Sequence, residues 1–185
     1  MRIFRWLKAS EQNIDRTSVI TVSDTTPIIS LLKAGRLELL KVMFGEVIVP
    51  TAVYDELVSN PRFTDEAKLI KSSVFIRKAF LHNEQEAHLL RRTAGLDKGE
   101  SEAIMLARER GAHILLMDEA KGRQVAKRMG LPVMGTLGLL LASCNRGLLV
   151  REDVVECIDA MEKEGIRISD TLHRYIIDRL DELAR

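Results

Sequence analysis

The feature that most constrains this fold is the alternation of short, continuously apolar runs with segments of helical periodicity. Each apolar run is too short for a helix, and a helical pattern follows it along the chain. Strands that are apolar at successive positions are buried on both faces, as in parallel sheets covered by helices. We therefore predict an α/β fold, a three-layer α/β/α sandwich with a parallel sheet of about five strands. The predicted strands cover residues 19–23, 46–50, 74–80 at a sheet edge, 112–118 and 131–135.

Helical patterns continue beyond the last predicted strand and its helix. Residues 151–185 carry two amphipathic helices, which we expect to pack on the domain or to form a dimer interface. The 185 residues thus divide into an N-terminal extension, 1–18, an α/β domain, 19–150, and this C-terminal helical extension. No apolar run approaches the roughly 18 residues that span a bilayer, so no membrane association is expected.

The charge balance gives no support for bulk binding to a polyanion. The chain has 28 Lys and Arg against 27 Asp and Glu, so nucleic-acid contacts must come from a local patch or from metal ions. Cys144 and Cys157 lie far from any metal-binding spacing, and we interpret them as buried, reduced thiols. Together with the lack of an apolar signal-peptide core at the start of the sequence, this predicts a cytoplasmic protein.

Acidic residues end two of the predicted buried strands. Asp24 follows "VITVS" and Asp118 follows "HILLM". The carboxyl ends of parallel strands meet at one edge of a sheet, where ligand chemistry collects. Each aspartate also has a purely local interpretation, as a helix cap or a turn residue. Behind Asp24, the pattern predicts that Thr25 or Thr26 caps the next helix, with Pro27 in its first turn.

Two further acids lie on early turns of helices that should pack on this sheet. Glu56 lies beside an apolar stripe and has the alternative of an ordinary solvated glutamate. Glu100 forms a capping-box pattern with Asp97, yet apolar residues follow it at three, four and seven positions, which places it on the inward face. Glu102 and Glu109 fall toward the outer face and are expected to contact solvent.

Four carboxylates at one edge are electrostatically unfavourable without cations, because like charges raise each other's pKa values and resist ionisation. Hard divalent ions such as Mg²⁺ or Mn²⁺ prefer oxygen ligands, and their positive charge offsets the repulsion between the carboxylates. A carboxylate site that holds such an ion is a common arrangement for phosphodiester hydrolysis. We therefore predict that Asp24, Glu56, Glu100 and Asp118 form a metal-binding and catalytic cluster.

With these positions in view, the sequence resembles the PIN-domain ribonucleases, the fold of the VapC-type toxins. The resemblance covers about residues 19–150 and is strongest at "VSDTTPIISLLKAGRLELL", "VIVPTAVYDEL", "LDKGESEAIMLA" and "ILLMDEAKGRQVAKRMGLPVMGTLGLLL". It is closest to a poorly characterised PIN branch with a Gly-Glu pair in the third motif and a Gly-Thr-x-Gly element after the last strand. The family's four acids match Asp24, Glu56, Glu100 and Asp118. The resemblance implies a parallel sheet of about five strands, Mg²⁺ or Mn²⁺ at the acids, and a homodimer.

The sequence departs from the family pattern at two motifs. The third acid is glutamate, where many members have aspartate, and the fourth motif lacks the second aspartate of Thr-x-Asp-x-Asp. The missing aspartate therefore argues against a fully formed second metal site. Glu119 either begins the next helix or assists through a water molecule, and the hydroxyl of Thr25 is placed to hydrogen-bond a ligand or a water.

The resulting functional prediction is a Mg²⁺- or Mn²⁺-dependent endoribonuclease that hydrolyses RNA, with the toxin of a toxin–antitoxin pair, and thus a small antitoxin partner, as the implied setting. Lys121, Arg123, Lys127 and Arg128 follow the Asp118 strand and are candidates for phosphate contacts, or else form a solvated helix face. Aromatic residues make up only 4% of the chain, which argues against base stacking as the main binding mode. The alternative from another class is a non-catalytic PIN-fold module that binds RNA or protein.

Three other α/β classes lack residues that they require. A phosphatase of the haloacid dehalogenase type needs a second aspartate at position 26, where this chain has Thr26. A response-regulator receiver needs a lysine at the end of its last strand, and "LPVMG" has none. A dinucleotide-binding fold needs Gly-x-Gly-x-x-Gly after a strand, and the sequence contains no such motif.

Overall fold

A sheet of five parallel strands forms the middle layer of the protein. The computed structural model describes residues 19–59 and 64–183, so the predicted N-terminal extension lies outside the described residues. The strand order is β3-β2-β1-β4-β5, and all neighbouring pairs are parallel. The prediction of an α/β sandwich with a five-stranded parallel sheet, including β3 as an edge strand, is confirmed. The strands are β1 (Thr21–Ser23), β2 (Val47–Pro50), β3 (Ile76–Ala79), β4 (Ile114–Leu116) and β5 (Val133–Met134).

Ten helices are found in the part of the chain that the structure describes, and they follow the strands in alternation up to β5. None of these ten helices combines the length and the apolarity needed to cross a membrane. The helices are α1 (Thr25–Lys33), α2 (Leu39–Phe44), α3 (Thr51–Ser59), α4 (Thr64–Ser72), α5 (Glu84–Ala94), α6 (Lys98–Glu109), α7 (Ala120–Arg128), α8 (Thr136–Asn145), α9 (Arg151–Lys163) and α10 (Asp170–Leu183).

The strands separate two hydrophobic cores because successive side chains of a strand point to opposite faces. Ile114 and Leu116 of β4 belong to the larger core, and Leu115 between them belongs to the smaller one. Helices α1 to α4 and α8 to α10 supply side chains to the larger core, whereas α6 and α7 supply the smaller one. This division explains why the strands are apolar without alternation.

Both C-terminal helices contribute to the larger core. Val154 and Ile158 of α9, and Ile176 and Leu180 of α10, are at most 2% exposed and belong to the same cluster as α1 and α8. An ion pair between Arg36 and Asp153 adds a polar contact at 2.9 Å. The last two helices therefore cover sheet-facing residues and are continuous with the rest of the fold.

The chain order of the strands creates a switch point between β1 and β4. From β1 the chain builds outward through β2 and β3, then returns to the other side of β1 for β4 and β5. At this point Ser23 pairs with Leu116, and the backbone N–H of Asp24 donates to Leu116 O at 2.9 Å. In open parallel sheets, ligands bind at the carboxyl ends of strands beside such a switch point. Asp24 and Asp118 lie on its two sides.

Candidate active site

Asp24 occupies the N-cap position of α1, directly after β1. Its backbone is extended, with φ −79° and ψ 172°, and the residue is only 4% exposed. The expectation that Thr25 or Thr26 would cap this helix is wrong, because α1 begins at Thr25 itself. The Asp24 side chain makes no capping hydrogen bond to α1. The local interpretation, a carboxylate that serves as a helix cap, therefore leaves its burial unexplained.

The environment of Asp24 opposes its ionisation. The pKa of the Asp24 carboxyl is raised from 3.8 to about 7, and burial is the largest cause. The carboxylates of Asp97, Glu100 and Glu56 contribute to this rise, and the nearby Thr25 N–H opposes it. The end of β1 is thus a buried anionic site in which negative charge outweighs its local compensation.

Glu100 realises both of its predicted roles. Its Oε2 accepts from the Asp97 N–H at 2.8 Å while Asp97 Oδ1 accepts from the Glu100 N–H at 2.7 Å, so the capping box forms. The side chain nevertheless points inward, since the residue is 6% exposed and its Oε1 is buried without a hydrogen-bond partner. Burial is the largest cause of a raised pKa of Glu100. Buried oxygens without a partner are uncommon in native proteins and call for a ligand or a cation.

Two glycines allow the helices to approach these carboxylates. A β-carbon on Gly99 would lie 3.5 Å from Asp24 Oδ1 and 3.4 Å from Asp97 Oδ1. A β-carbon on Gly122 would lie 2.9 Å from Glu100 Oε1 and would clash with the sulfur of Met117 at 2.6 Å. The starts of α6 and α7 therefore close around the acids because they carry no side chain at these two points.

Glu56 lies at the rim of the cluster. The residue is exposed, whereas Asp24 and Glu100 are buried. Its Oε2 accepts a hydrogen bond from Thr25 Oγ1 at 2.7 Å, which ties α3 to the start of α1 beside Asp24. The hydroxyl of Thr25 therefore orients Glu56, which is one of the predicted metal ligands.

Both oxygens of the Asp118 carboxylate accept hydrogen bonds from Thr136. Its Oδ1 accepts from the Thr136 N–H at 2.7 Å, and its Oδ2 accepts from Thr136 Oγ1 at 2.6 Å. Asp118 thus binds the first turn of α8. The structure brings Asp24, Glu56 and Glu100 together and turns Asp118 toward Thr136. Thr136 belongs to the Gly-Thr-x-Gly element noted in the sequence, but no sequence pattern pointed to Asp118 as its partner.

Sequence reasoning missed the contributions of Asp97 and Glu102. Asp97 was interpreted only as a helix cap, yet its charge is the largest carboxylate contribution to the raised pKa of Asp24. Glu102 is 9% exposed, and its Oε2 accepts from the Ala52 N–H at 2.9 Å. The expectation that Glu102 contacts solvent is wrong, because α6 is enclosed by the sheet and by α3, so its buried surface is wider than a single stripe.

The predicted basic residues divide into two pairs. Lys121 Nζ donates to Gly95 O at 2.6 Å, and Arg123 Nη1 donates to Met117 O at 2.9 Å, so both side chains lie near the acids. Lys127 and Arg128 are exposed in the last turn of α7. At a rise of 1.5 Å per residue they lie about 10 Å farther along the helix. Glu119 is exposed at the N-cap position of α7, where its charge also raises the pKa of Glu100.

The donor set fits a hard divalent cation in chemistry and in charge. The oxygens of Asp24 and Glu100 are buried, their pKa values are raised, and Glu100 Oε1 has no other partner. Within the described ranges, no three Asp, Glu, His or Cys side chains are already arranged around one point that could hold an ion. A cation at this site would thus require side-chain adjustment, for which the exposed Glu56 has room.

The chain can now be compared with known families. The family model DUF3368, described as a PIN domain, matches residues 20–182. The chain is a PIN-domain protein. PIN domains are generally nucleases and typically use divalent metals. The match extends through α9 and most of α10, and no curated protein matches the chain.

Proposed function

We propose that this PIN-domain protein is a Mg²⁺- or Mn²⁺-dependent endoribonuclease. The observation that carries the proposal is the buried carboxyl of Asp24, whose pKa is raised to about 7 by burial and by the carboxylates of Asp97, Glu100 and Glu56. Burial and repulsion make such a cluster of carboxylates unfavourable on its own, and a bound divalent cation with oxygen ligands offsets that repulsion. Membership of a family of nucleases supports the same conclusion.

Each residue of the site has a role in this proposal. Asp24 and Glu100 hold the cation, and Glu56, oriented by the hydroxyl of Thr25, closes the site from α3. Asp118 accepts hydrogen bonds from Thr136 beside the switch point, and its carboxylate must leave Thr136 in order to bind the cation. A bound Mg²⁺ or Mn²⁺ supplies an activated water and neutralises the charge that develops on the phosphate.

The positively charged side chains at the start of α7 complement this arrangement. Lys121 and Arg123 each donate one N–H to a backbone carbonyl beside the acids. Lysine has three donors and arginine has five, so both side chains retain donors for phosphate oxygens. They fix the RNA backbone over the carboxylates and screen the repulsion between phosphate and the acidic cluster.

The decisive experiment compares wild type with Asp24→Asn on several single-stranded and structured RNAs in Mn²⁺. We expect cleavage to fall by at least about a hundredfold, because the substitution removes the charge that holds the cation. Asp65→Asn, at an exposed position on α4, is the matched control and should cleave as wild type does. Equal cleavage by wild type and Asp24→Asn would show that the activity belongs to a contaminant or to another site.

One observation favours a second candidate, a non-catalytic PIN-fold module that binds RNA. Both carboxylate oxygens of Asp118 already accept hydrogen bonds from Thr136, which withdraws one predicted ligand from the cluster. The two functions differ in their affinity for divalent ions. A nuclease should show a rise in unfolding temperature with millimolar Mn²⁺, since a ligand that binds only the native state stabilises it. A binding module should show none.

The toxin role is a separate proposal with its own test. A ribonuclease toxin arrests growth when it is expressed in bacteria without its antitoxin, and its inactive variant does not. We expect induced wild type, but not Asp24→Asn, to stop growth at matched protein levels. Normal growth with an active enzyme would contradict the toxin role and leave the nuclease proposal intact.

A further inference from the structure

An open, largely apolar cavity of about 450 Å³ lies beside Asp118. We name it the α10 pocket, because α10 forms one wall and α7, β5 and α8 form the others. Apolar side chains such as Val133, Leu137, Leu141 and Ile176 line most of it. Its volume falls within the roughly 300–1,000 Å³ of small-ligand sites, so it has ample space for one nucleobase.

Polar groups converge at the end of the α10 pocket that adjoins the carboxylates. A β-carbon on Gly135 would lie 2.7 Å from Asp118 Oδ1 and 2.6 Å from Arg123 Nη1. Glycine at position 135 therefore lets Asp118 and Arg123 pack directly against the backbone at this end of the pocket. Arg123 uses one donor on Met117 O, and a guanidinium has five. The remaining donors can meet acceptor atoms on the edge of a ligand.

The mouth of the α10 pocket carries two large exposed side chains. Leu172 is 42% exposed and Tyr175 is 51% exposed, and both line the cavity. They are three residues apart on α10 and therefore share one face of the helix. The chain has only two tyrosines, and one of them, Tyr175, lines the same pocket as Asp118. Its ring offers a stacking surface, which bases of any sequence can use.

We propose that the α10 pocket holds one unstacked nucleobase of a single-stranded RNA whose neighbouring phosphate lies at the carboxylates. The base stacks on Tyr175, its edge accepts from Arg123, and the apolar walls exclude water. This inference rests on the proposed function, since it needs RNA at the active site. A phosphate is a poorer occupant, because the walls are apolar and Asp118 repels it. Single-stranded RNA is recognised in this way when splayed bases stack on aromatic side chains.

The test measures binding and does not depend on cleavage. A labelled single-stranded RNA is titrated by fluorescence anisotropy in Ca²⁺ buffer, with its integrity checked on a gel. A series of the same RNA carries one abasic nucleotide that moves along the strand. For wild type, we expect one abasic position to weaken binding about tenfold, which corresponds to about 1.4 kcal/mol.

Substitution at Tyr175 should couple to that position. Tyr175→Ala should weaken binding of the intact RNA about tenfold and should abolish the effect of the abasic nucleotide, because both changes remove the same stacked pair. Tyr175→Phe keeps the ring and should behave as wild type. Leu89→Ala, at a 61% exposed apolar position on α5, is the matched control and should change nothing. Tyr175 is half-exposed, and unfolding temperatures verify that each variant is folded.

Each outcome decides between the proposals. Additive effects of Tyr175→Ala and the abasic nucleotide, or no effect of either, would overturn the base pocket. A change in mass by light scattering with unchanged RNA affinity would assign the pocket to a second copy of the chain and overturn it as well. If Tyr175→Ala and the abasic nucleotide are coupled but no RNA is cleaved, the base pocket is supported and the nuclease proposal is overturned. If RNA is cleaved but the two changes are not coupled, the nuclease proposal is supported and the base pocket is overturned. If no RNA binds, both fail.

Discussion

At the scale of single residues, the site is defined by charges that the fold does not neutralise. Asp24 and Glu100 are buried, carry raised pKa values, and lie near Asp97. Sequence analysis identified Asp24 and Glu100 because each stands at a defined point of a strand or a helix. It could not identify the contribution of Asp97, since a capping residue and a residue that also acts through its charge have the same pattern.

The raised pKa of Asp24 predicts how stability depends on pH in the absence of metal. The unfolded carboxyl titrates near 3.8 and the folded one near 7, so the folded state binds more protons between these values. Stability therefore falls as pH rises from about 4 to 7 and levels off above, by up to about 4 kcal/mol in total. Asp24→Asn should lose this contribution and show a smaller fall in stability over the same pH range. Urea unfolding in EDTA at pH 4.5 and pH 8 measures the difference, and equal pH dependence of the two proteins would contradict it.

Gly122 gives a second prediction at the residue scale. A β-carbon there would clash with the Met117 sulfur at 2.6 Å and approach Glu100 Oε1 at 2.9 Å. We expect Gly122→Ala to destabilise the fold by about 1–3 kcal/mol, despite the better helix propensity of alanine, and to weaken Mn²⁺ binding. Gly138→Ala on α8 meets only Met134 Cγ at 3.3 Å and serves as control. Thermal unfolding with and without Mn²⁺ measures both effects, and a Gly122→Ala protein as stable as wild type would count against the close approach.

At the scale of helices and strands, periodicity predicted most elements and failed where burial was wider than one stripe. The edge strand β3 was predicted within residues 74–80, and its charged residues Arg77 and Lys78 are exposed. Helix α6 was predicted with an inner and an outer face, but residues from Gly99 to Ala107 are all buried. The sheet and α3 both pack on α6, and a sequence pattern does not reveal how many neighbours a helix has.

Substitution of Glu102 tests the contact between α6 and α3. Its Oε2 accepts from the Ala52 N–H at 2.9 Å, in the first turn of the helix that carries Glu56. Glu102→Ala should destabilise the protein by about 1–3 kcal/mol, because a half-buried N–H at a helix start loses its charged acceptor. Glu102→Gln keeps an acceptor and should cost less. Glu156→Ala on an exposed position of α9 is the control, and chemical denaturation that ranks Glu102→Ala with this control would contradict the role.

At the scale of the whole molecule, the last two helices decide whether the sheet has a complete cover. Six residues of α9 and α10 are at most 2% exposed, namely Val154, Cys157, Ile158, Met161, Ile176 and Leu180. Burial of such side chains contributes about 1.5–3 kcal/mol each, so their loss removes on the order of 10 kcal/mol. That is comparable to the entire stability of a typical domain, about 5–15 kcal/mol. Deletion would also expose the facing residues of α1 and α8 to water.

A chain that ends at residue 150 should therefore fail to fold or should aggregate, even though it retains all the candidate catalytic acids. Circular dichroism and thermal unfolding of the purified truncation measure the first effect, and light scattering measures its oligomeric mass. Substitution of Leu172 by Ala in the full chain is the matched control, because this residue of α10 is 42% exposed and its side chain contributes little to the core. A soluble truncation with unchanged stability and the same number of associated copies as the full chain would show that α9 and α10 neither complete the core nor join two copies.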